Sequence, residues 1–232
     1  MMVMLKALPF LWQGLLVTLQ VSAIVVAVAL VLGVLFGTAL TYAPWWAAWP
    51  VRAYSDIARG LPLITLIFFV YYAMPALKVN VSGWWAAVSA LAAFETAHVA
   101  EVTRGALQSI HPGQTEAGRA IGLTFEQRML YVIFPQALRR FLPPWINTVV
   151  DTVKGSALVS LVGIVDLMLA VQQVIGRTFQ PLPLYVLGAA IYFVINYTLS
   201  QLSRRLEARF AYVRESRCPA REGARAAQEL RP

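Results

Sequence analysis

Glu95, His98 and Glu101 recur at intervals of three, a spacing that stacks two carboxylates and an imidazole along one side of a helix and could hold a metal ion. Such a centre needs further ligands from a facing helix, and the only other histidine, His111, falls in a loop. Glu101 also precedes Arg104 by three residues, so an ion pair accounts for both. Lys154 and Asp166 stand inside a long apolar segment, where charge is costly enough to mark a functional candidate. Lys154 could attract a solute carboxylate or pair with Asp151 about one turn earlier. Asp166 could meet an amine or rim a pathway, and Ser156, beside Gly155, could line the same helix. Arg59, just ahead of Gly60 and Pro62, could line a path or anchor a helix end. The remaining conspicuous chemistry is "EAGRAIGLTFEQRMLYVIFPQALRR", Glu116 to Arg140, which carries six charged side chains in an otherwise apolar chain.

The elements that carry these residues follow from composition. Of 232 residues, 59% are hydrophobic and 13% charged, whereas a soluble domain carries about a quarter charged residues. No charged side chain occurs from Ala7 to Val51 or from Thr178 to Ser203. A hydrocarbon core about 30 Å thick takes roughly 20 apolar residues as a helix. Five segments qualify: Leu15–Leu40, Leu61–Ala76, Trp84–Val99, Trp145–Ile175 and Leu182–Leu202. The fourth exceeds what a crossing needs, and Gly155 and Gly163 are its weak points. Solid apolar runs, rather than alternating segments of about ten residues, exclude a strand-built barrel. The expected fold class is all-α: an integral membrane protein with five transmembrane helices, residues 1–215 forming the membrane domain and residues 216–232 a loosely ordered polar tail. The first apolar run is much longer than the roughly 7–15 residues of a signal peptide. A lone Cys218 excludes a disulfide within the chain.

Five spans put the termini on opposite sides. With the N-terminus outside and the C-terminus cytoplasmic, the outer side holds Lys6, Lys78 and Arg177. The inner side then holds fifteen of the 19 basic residues, Lys154 being within a span. Basic residues are retained in cytoplasmic loops, which selects this orientation. All seven tryptophans fall near span ends, where an amphipathic ring suits the headgroup layer. The net charge of +8 is spread over cytoplasmic edges and an Arg/Glu-interleaved tail, so it reads as a topology signal rather than a nucleic-acid footprint.

The charged stretch then lies on the cytoplasmic side. Pro112-Gly113 punctuates the exit from the third span. Gln114 to Ile121 is helix-compatible, and Gly122 supplies a stop. Thr124 with Gln127 three residues on reads as a capping box, opening a second short helix that should run to about Ile133 before Pro135 interrupts it. Ala117, Gly118 and Ala120 are small, so another backbone can come close. On these grounds the first helix either docks in a groove on a partner or rests on the membrane.

The stretch resembles the "EAA" loop of ABC-importer permeases: Glu-Ala-Ala, three residues, Gly, nine residues, then Ile-x-Leu-Pro. Glu116, Ala117, Gly122 and Pro135 match in register, with Gly118, Val132 and Phe134 as substitutions. From about Gly14 to Arg209 the chain is similar to the polar-amino-acid uptake branch, which imports histidine, arginine, glutamate, glutamine, opines and relatives. The blocks that carry this similarity are "ARGLPLITLIFFVYYAMP", "AEVTRGALQSIHPGQTEAGRAIGLT", "FPQALRRFLPPWIN" and "KGSALVSLVG". Where that branch has an acidic or amide residue, then Thr and Ser, this chain has Gly155, Ser156 and Ala157.

The resemblance implies that Glu116 to Gly122 form a coupling helix seated in the cleft of an ABC ATPase subunit. It also implies a second permease chain, identical or paralogous, and an external substrate-binding protein, all at a bacterial inner membrane. No GxxxxGK[ST] loop occurs in this chain, so ATP and magnesium are expected on the partner. No cofactor, metal, nucleic acid or catalytic residue is expected in this chain. Two other classes stay in view: a membrane metalloenzyme using Glu95, His98 and Glu101, and a secondary transporter acting alone. The second lacks an obvious inverted repeat.

Overall fold

The structure, a computed structural model, describes residues 2–215, with side chains described from 7 to 208. The tail assigned to residues 216–232, with Cys218, lies outside the described residues. Regular structure among the described residues is entirely helical: α1 (Met2–Tyr42), α2 (Trp45–Gly60), α3 (Leu63–Ala76), α4 (Gly83–Gln108), α5 (Pro112–Ala120), α6 (Phe125–Arg128), α7 (Phe134–Gly155), α8 (Leu167–Thr178) and α9 (Pro181–Glu215). A π turn, Met129–Ile133, joins α6 to α7, and a 3₁₀ segment, Ser156–Val162, follows α7.

Two stretches are long and apolar enough to cross a bilayer alone, Ala7–Tyr42 and Pro181–Ala208. Two bent pairs pass jointly, α2 with α3 across a 108° bend, and the run from α6 through the 3₁₀ segment with α8 across a 50° bend. The segment read from sequence as the span Leu61–Ala76 is therefore shorter in structure. α3 has 14 residues, about 21 Å at 1.5 Å per residue. The preceding stretch, outside the five expected spans, is the helix α2, turned away at the extended residues Leu61 and Pro62. Pro135 does not interrupt its helix either. It sits in the first turn of α7, where a missing N–H costs nothing, and the π turn before it absorbs the change of register.

α4 is too polar to qualify by composition, yet it is the most enclosed helix of the fold. It contacts α1, α2, α3 and α7, and Ala86, Ala87, Ala90, Ala97 and Ala100 are all buried. A helix surrounded by helices needs small side chains more than greasy ones, because its neighbours shield it from lipid. α1 approaches it through Gly33 and Gly37, four residues apart. A Cβ at Gly33 would stand 2.5 Å from the Val99 Cβ, and one at Gly37 would stand 2.4 Å from the Ala100 carbonyl oxygen.

The fourth apolar segment breaks where glycine weakens it. α7 ends at Gly155, and Gly163 closes the 3₁₀ segment with φ +84°, a conformation that suits glycine. Backbone groups freed by a break inside a membrane have no water to meet and must be satisfied by protein. Here the Asp166 carboxylate accepts from Leu169 N–H at 2.9 Å, and Thr18 of α1 accepts from Leu167 N–H at 3.0 Å. Tyr192 of α9 donates to the other Asp166 oxygen at 3.3 Å. Three helices are thus tied to one restart.

Gly37→Leu is expected to destabilise the folded chain by several kcal/mol or block its accumulation, since the side chain must displace α4 backbone. Wild-type melting temperature in detergent would contradict that packing. Asp166→Asn should retain folding because asparagine also caps, whereas Asp166→Ala should cost about 1–2 kcal/mol. Equal melting temperatures for the two variants would remove the capping role.

Candidate functional site

The charged hinge has the expected helix, glycine corner and second helix. His111 opens α5 by accepting from Gly113 N–H at 3.0 Å. α5 ends at Ala120, and Gly122 turns the chain with φ +80° and nothing within 4 Å of where a Cβ would lie. Glycine is needed there for its backbone, not for space. Thr124 and Gln127 form the complete capping box, with bonds of 3.3 and 2.9 Å.

Glu116, Ala117, Arg119, Ala120 and Gly122 are exposed. Ile121 is 77% exposed and Phe125 52%, so the corner carries apolar groups into solvent. Gly118 is different. It is buried, and a Cβ there would meet Arg128 Cγ and Cδ at 2.9 Å. The small side chain expected to admit a partner instead admits Arg128, whose guanidinium donates to the Leu123 carbonyl at 2.7 Å. Arg128 therefore locks α5 against α6, a role that spacing alone did not reveal. The hinge is also fastened to the membrane helices. Gln136 of α7 donates to Gln114 at 3.2 Å and Phe125 meets Tyr42 at the end of α1 edge-on at 5.6 Å, while beside the hinge Arg140 of α7 donates to the Ser109 carbonyl at the end of α4. Pro135 sits beyond the π turn, away from the corner.

The expected Glu101–Arg104 ion pair is present, with Arg104 donating to Glu101 at 2.6 and 3.0 Å. Arg59 joins it, its guanidinium 3.6 Å from the same carboxylate. The end of α2 is thereby tied to α4. Glu101 is committed to two arginines, and the His98 ring bonds the Phe94 carbonyl at 3.0 Å. No group of three metal-ligating side chains converges among the described residues.

The other candidates separate by burial. Lys154 is 58% and Asp151 70% exposed, paired at 3.3 Å. They lie with Arg140, Pro144 and Asn147 along one exposed side of α7, while Ala137, Phe141, Ile146, Val150 and Val153 pack inward. Lys154 also borders a cavity of about 390 Å³ between the end of α7, α8 and α9, with Met168, Tyr185 and Tyr192. Ser156 and Asp166, expected on the same path, are fully buried. Ser156 bonds the Val153 carbonyl at 2.8 Å, and Asp166 is occupied in capping α8.

Residues 29–212 match the family described as binding-protein-dependent transport system inner membrane component. The chain is 35% identical over 206 residues to the probable glutamine ABC transporter permease protein of Bacillus subtilis (strain 168), covering 87% of this chain and 94% of that one. It is 36% identical over 205 residues to the glutamine transport system permease protein of Escherichia coli (strain K12), at 88% and 94% coverage. A crystal structure of an amino acid ABC transporter with histidines superimposes with a TM-score of 0.83 at 32% identity, covering 89% of this chain and 96% of that chain. A membrane helix bundle of this shape, ending in an exposed glycine hinge and carrying these matches along most of its length, belongs to the binding-protein-dependent transport system inner membrane components.

Proposed function

We propose that this chain is the permease subunit of an ATP-driven importer of polar amino acids. It contributes the pathway, and a separate ATPase subunit supplies the energy with ATP and magnesium. The observation that carries the coupling role is the exposed α5–Gly122–α6 corner. Its apolar Ile121 and Phe125 stand in solvent, while Arg128 and the capping box keep it rigid. A surface shaped for lipid alone gains nothing from being bolted to α1 and α7. A surface that receives force does.

Five spans with an external N-terminus place this corner on the cytoplasmic face, where an ATPase can reach it. An external binding protein then delivers substrate from the other side. A second permease chain completes the pathway, because the Asn147–Asp151–Lys154 side of α7 is too polar to rest against lipid. Glutamine, arginine and octopine appear in the names of relatives, which supports a polar amino acid as cargo. Lys154 is the pathway residue favoured by exposure; Ser156 and Asp166 act by holding the broken helix in shape.

Reconstituted with an ATPase and binding protein from neighbouring genes, the chain should support ATP-dependent uptake from an amino-acid panel. Solute movement at full rate without the ATPase would overturn the reading. Gly122→Val places a β-branched residue at positive φ, costing on the order of 1–3 kcal/mol of local strain. Substrate-stimulated ATP turnover should fall several-fold with the spans still folded, and unchanged stimulation would dissociate the corner from coupling. Lys154→Ala should slow uptake while leaving basal ATP hydrolysis intact. Wild-type affinity and rate in that variant would remove Lys154 from the pathway.

A further inference from the structure

A second cavity, of about 630 Å³, lies between α1, α2 and α4, apart from the hinge and from Lys154. Its long walls are α1 from Ile24 to Phe36 and α4 from Trp85 to Thr96. At 1.5 Å per residue they run about 18 and 16 Å, close to the roughly 15 Å that one leaflet contributes to the hydrocarbon core. The volume falls within the range of about 300–1,000 Å³ that small-molecule sites occupy. No charged side chain lines it. Of its three hydroxyls, Tyr54 donates to the Ala93 carbonyl and Ser89 to the Ala86 carbonyl at 3.0 Å. Such a lining does not orient a polar solute. It suits a flexible apolar chain, which makes dispersion contacts along its whole length.

α2 closes the hinge-side end of this crevice. It starts three residues after Tyr42, which meets the hinge at Phe125, and it ends where Arg59 reaches Glu101. Pro50, Val51 and Tyr54 face the crevice, and Tyr54 meets Phe36 edge-on at 5.7 Å. Trp45, Trp49, Arg52 and Asp56, spaced by four, three and four, form the opposite stripe at about 3.6 residues per turn. All four are exposed, Trp45 at 81%. Aromatic rings and a cation on one side of a helix suit the headgroup layer. Among the described residues no carboxylate, Asp56 included, comes within ion-pair distance of Arg52. Trp46 and Ile57 form an exposed apolar edge between the stripe and the crevice. On α1, Leu30 and Val34 cluster with Phe141 and Trp145 of α7, about 200° round the helix from Val28 and Leu32 of the crevice. The crevice therefore opens away from the α7 side proposed to meet a second permease chain.

We propose that this crevice is a binding site for a phospholipid of the hinge-side leaflet. One acyl chain lies between α1 and α4, the glycerol backbone crosses the Trp46–Ile57 edge of α2, and the phosphate meets Arg52 beside Trp45 and Trp49. A bilayer supplies this ligand at all times, and a groove left empty in it forfeits contacts on both walls. The seated lipid splints α2 to α1 and α4 beside the Arg59–Glu101 tie. The site lies off the solute pathway, so it goes beyond the importer reading and does not depend on the cargo.

The test is native mass spectrometry of the detergent-purified permease–ATPase complex, read for retained phospholipid. Val28 lines the crevice and is 38% exposed, so Val28→Trp fills the space. Val31→Trp adds the same bulk to α1 at a residue that is 60% exposed and outside the lining. Wild type and Val31→Trp should retain phospholipid, and Val28→Trp should lose it several-fold. Arg52→Gln should lower retention about fivefold, the scale of an exposed ion pair. Equal retention in the two tryptophan variants, or detergent alone bound to wild type, overturns the site. A disulfide between two Val28→Cys copies seats a second permease chain there and overturns it as well. Should Val28→Trp not accumulate, wild type in vesicles is photolabelled with a phosphatidylglycerol bearing a diazirine on its acyl chain. Labelling concentrated on residues 24–36 and 85–96 supports the site, and labelling spread evenly over the exposed helices overturns it.

Discussion

Hydrocarbon cannot solvate a carboxylate, so in a membrane protein a helix that carries Glu95 and Glu101 needs a sleeve of other helices around it. α4 is that helix. Its alanine-rich surface lets α1, α2, α3 and α7 close around it, and Gly33 and Gly37 let α1 come near enough for backbone atoms to touch. The polar groups are retained because the sleeve exists, and the sleeve exists because small residues surround them. Dispersion between closely approached backbones, rather than hydrophobic transfer, is the attraction available between helices in lipid.

The same constraint shapes the broken segment. A chain that changes direction between α7 and α8 frees N–H and C=O groups, and Thr18, Asp166 and Tyr192 converge from three helices to satisfy the restart. The restart also positions the neighbouring cavity, since Tyr192 both bonds Asp166 and lines the space beside Lys154. A movement of α8 against α9 would therefore be felt at Lys154 without any change in Lys154 itself.

At the other end, the hinge is stiff at its base and exposed at its tip. Arg128 fills the space that Gly118 leaves, so the two short helices move as one piece. Gln114 and Phe125 connect that piece to α7 and α1. Ile121 at the corner is thereby linked to α1 and α7 through contacts already made, with no segment that has to order first.

The chain's own letters were enough for the membrane class, the helix–glycine–helix hinge and its capping box, the Glu101–Arg104 pair and the two weak points at Gly155 and Gly163. Each is a local matter: run length, a left-handed turn, a three-residue spacing. The Gly33–Gly37 pair was not singled out from the sequence, because its meaning depends on α4 lying against α1. Folding alone made α2 a helix, turned Pro135 into a helix start, gave Gly118 to Arg128 rather than to a partner, added Arg59 to the Glu101 pair and buried Asp166 while exposing Lys154. Those outcomes depend on which surfaces of distant segments meet. Hydropathy and spacing along one helix report what a side chain prefers, whereas its exposure and partners are set by neighbours tens of residues away.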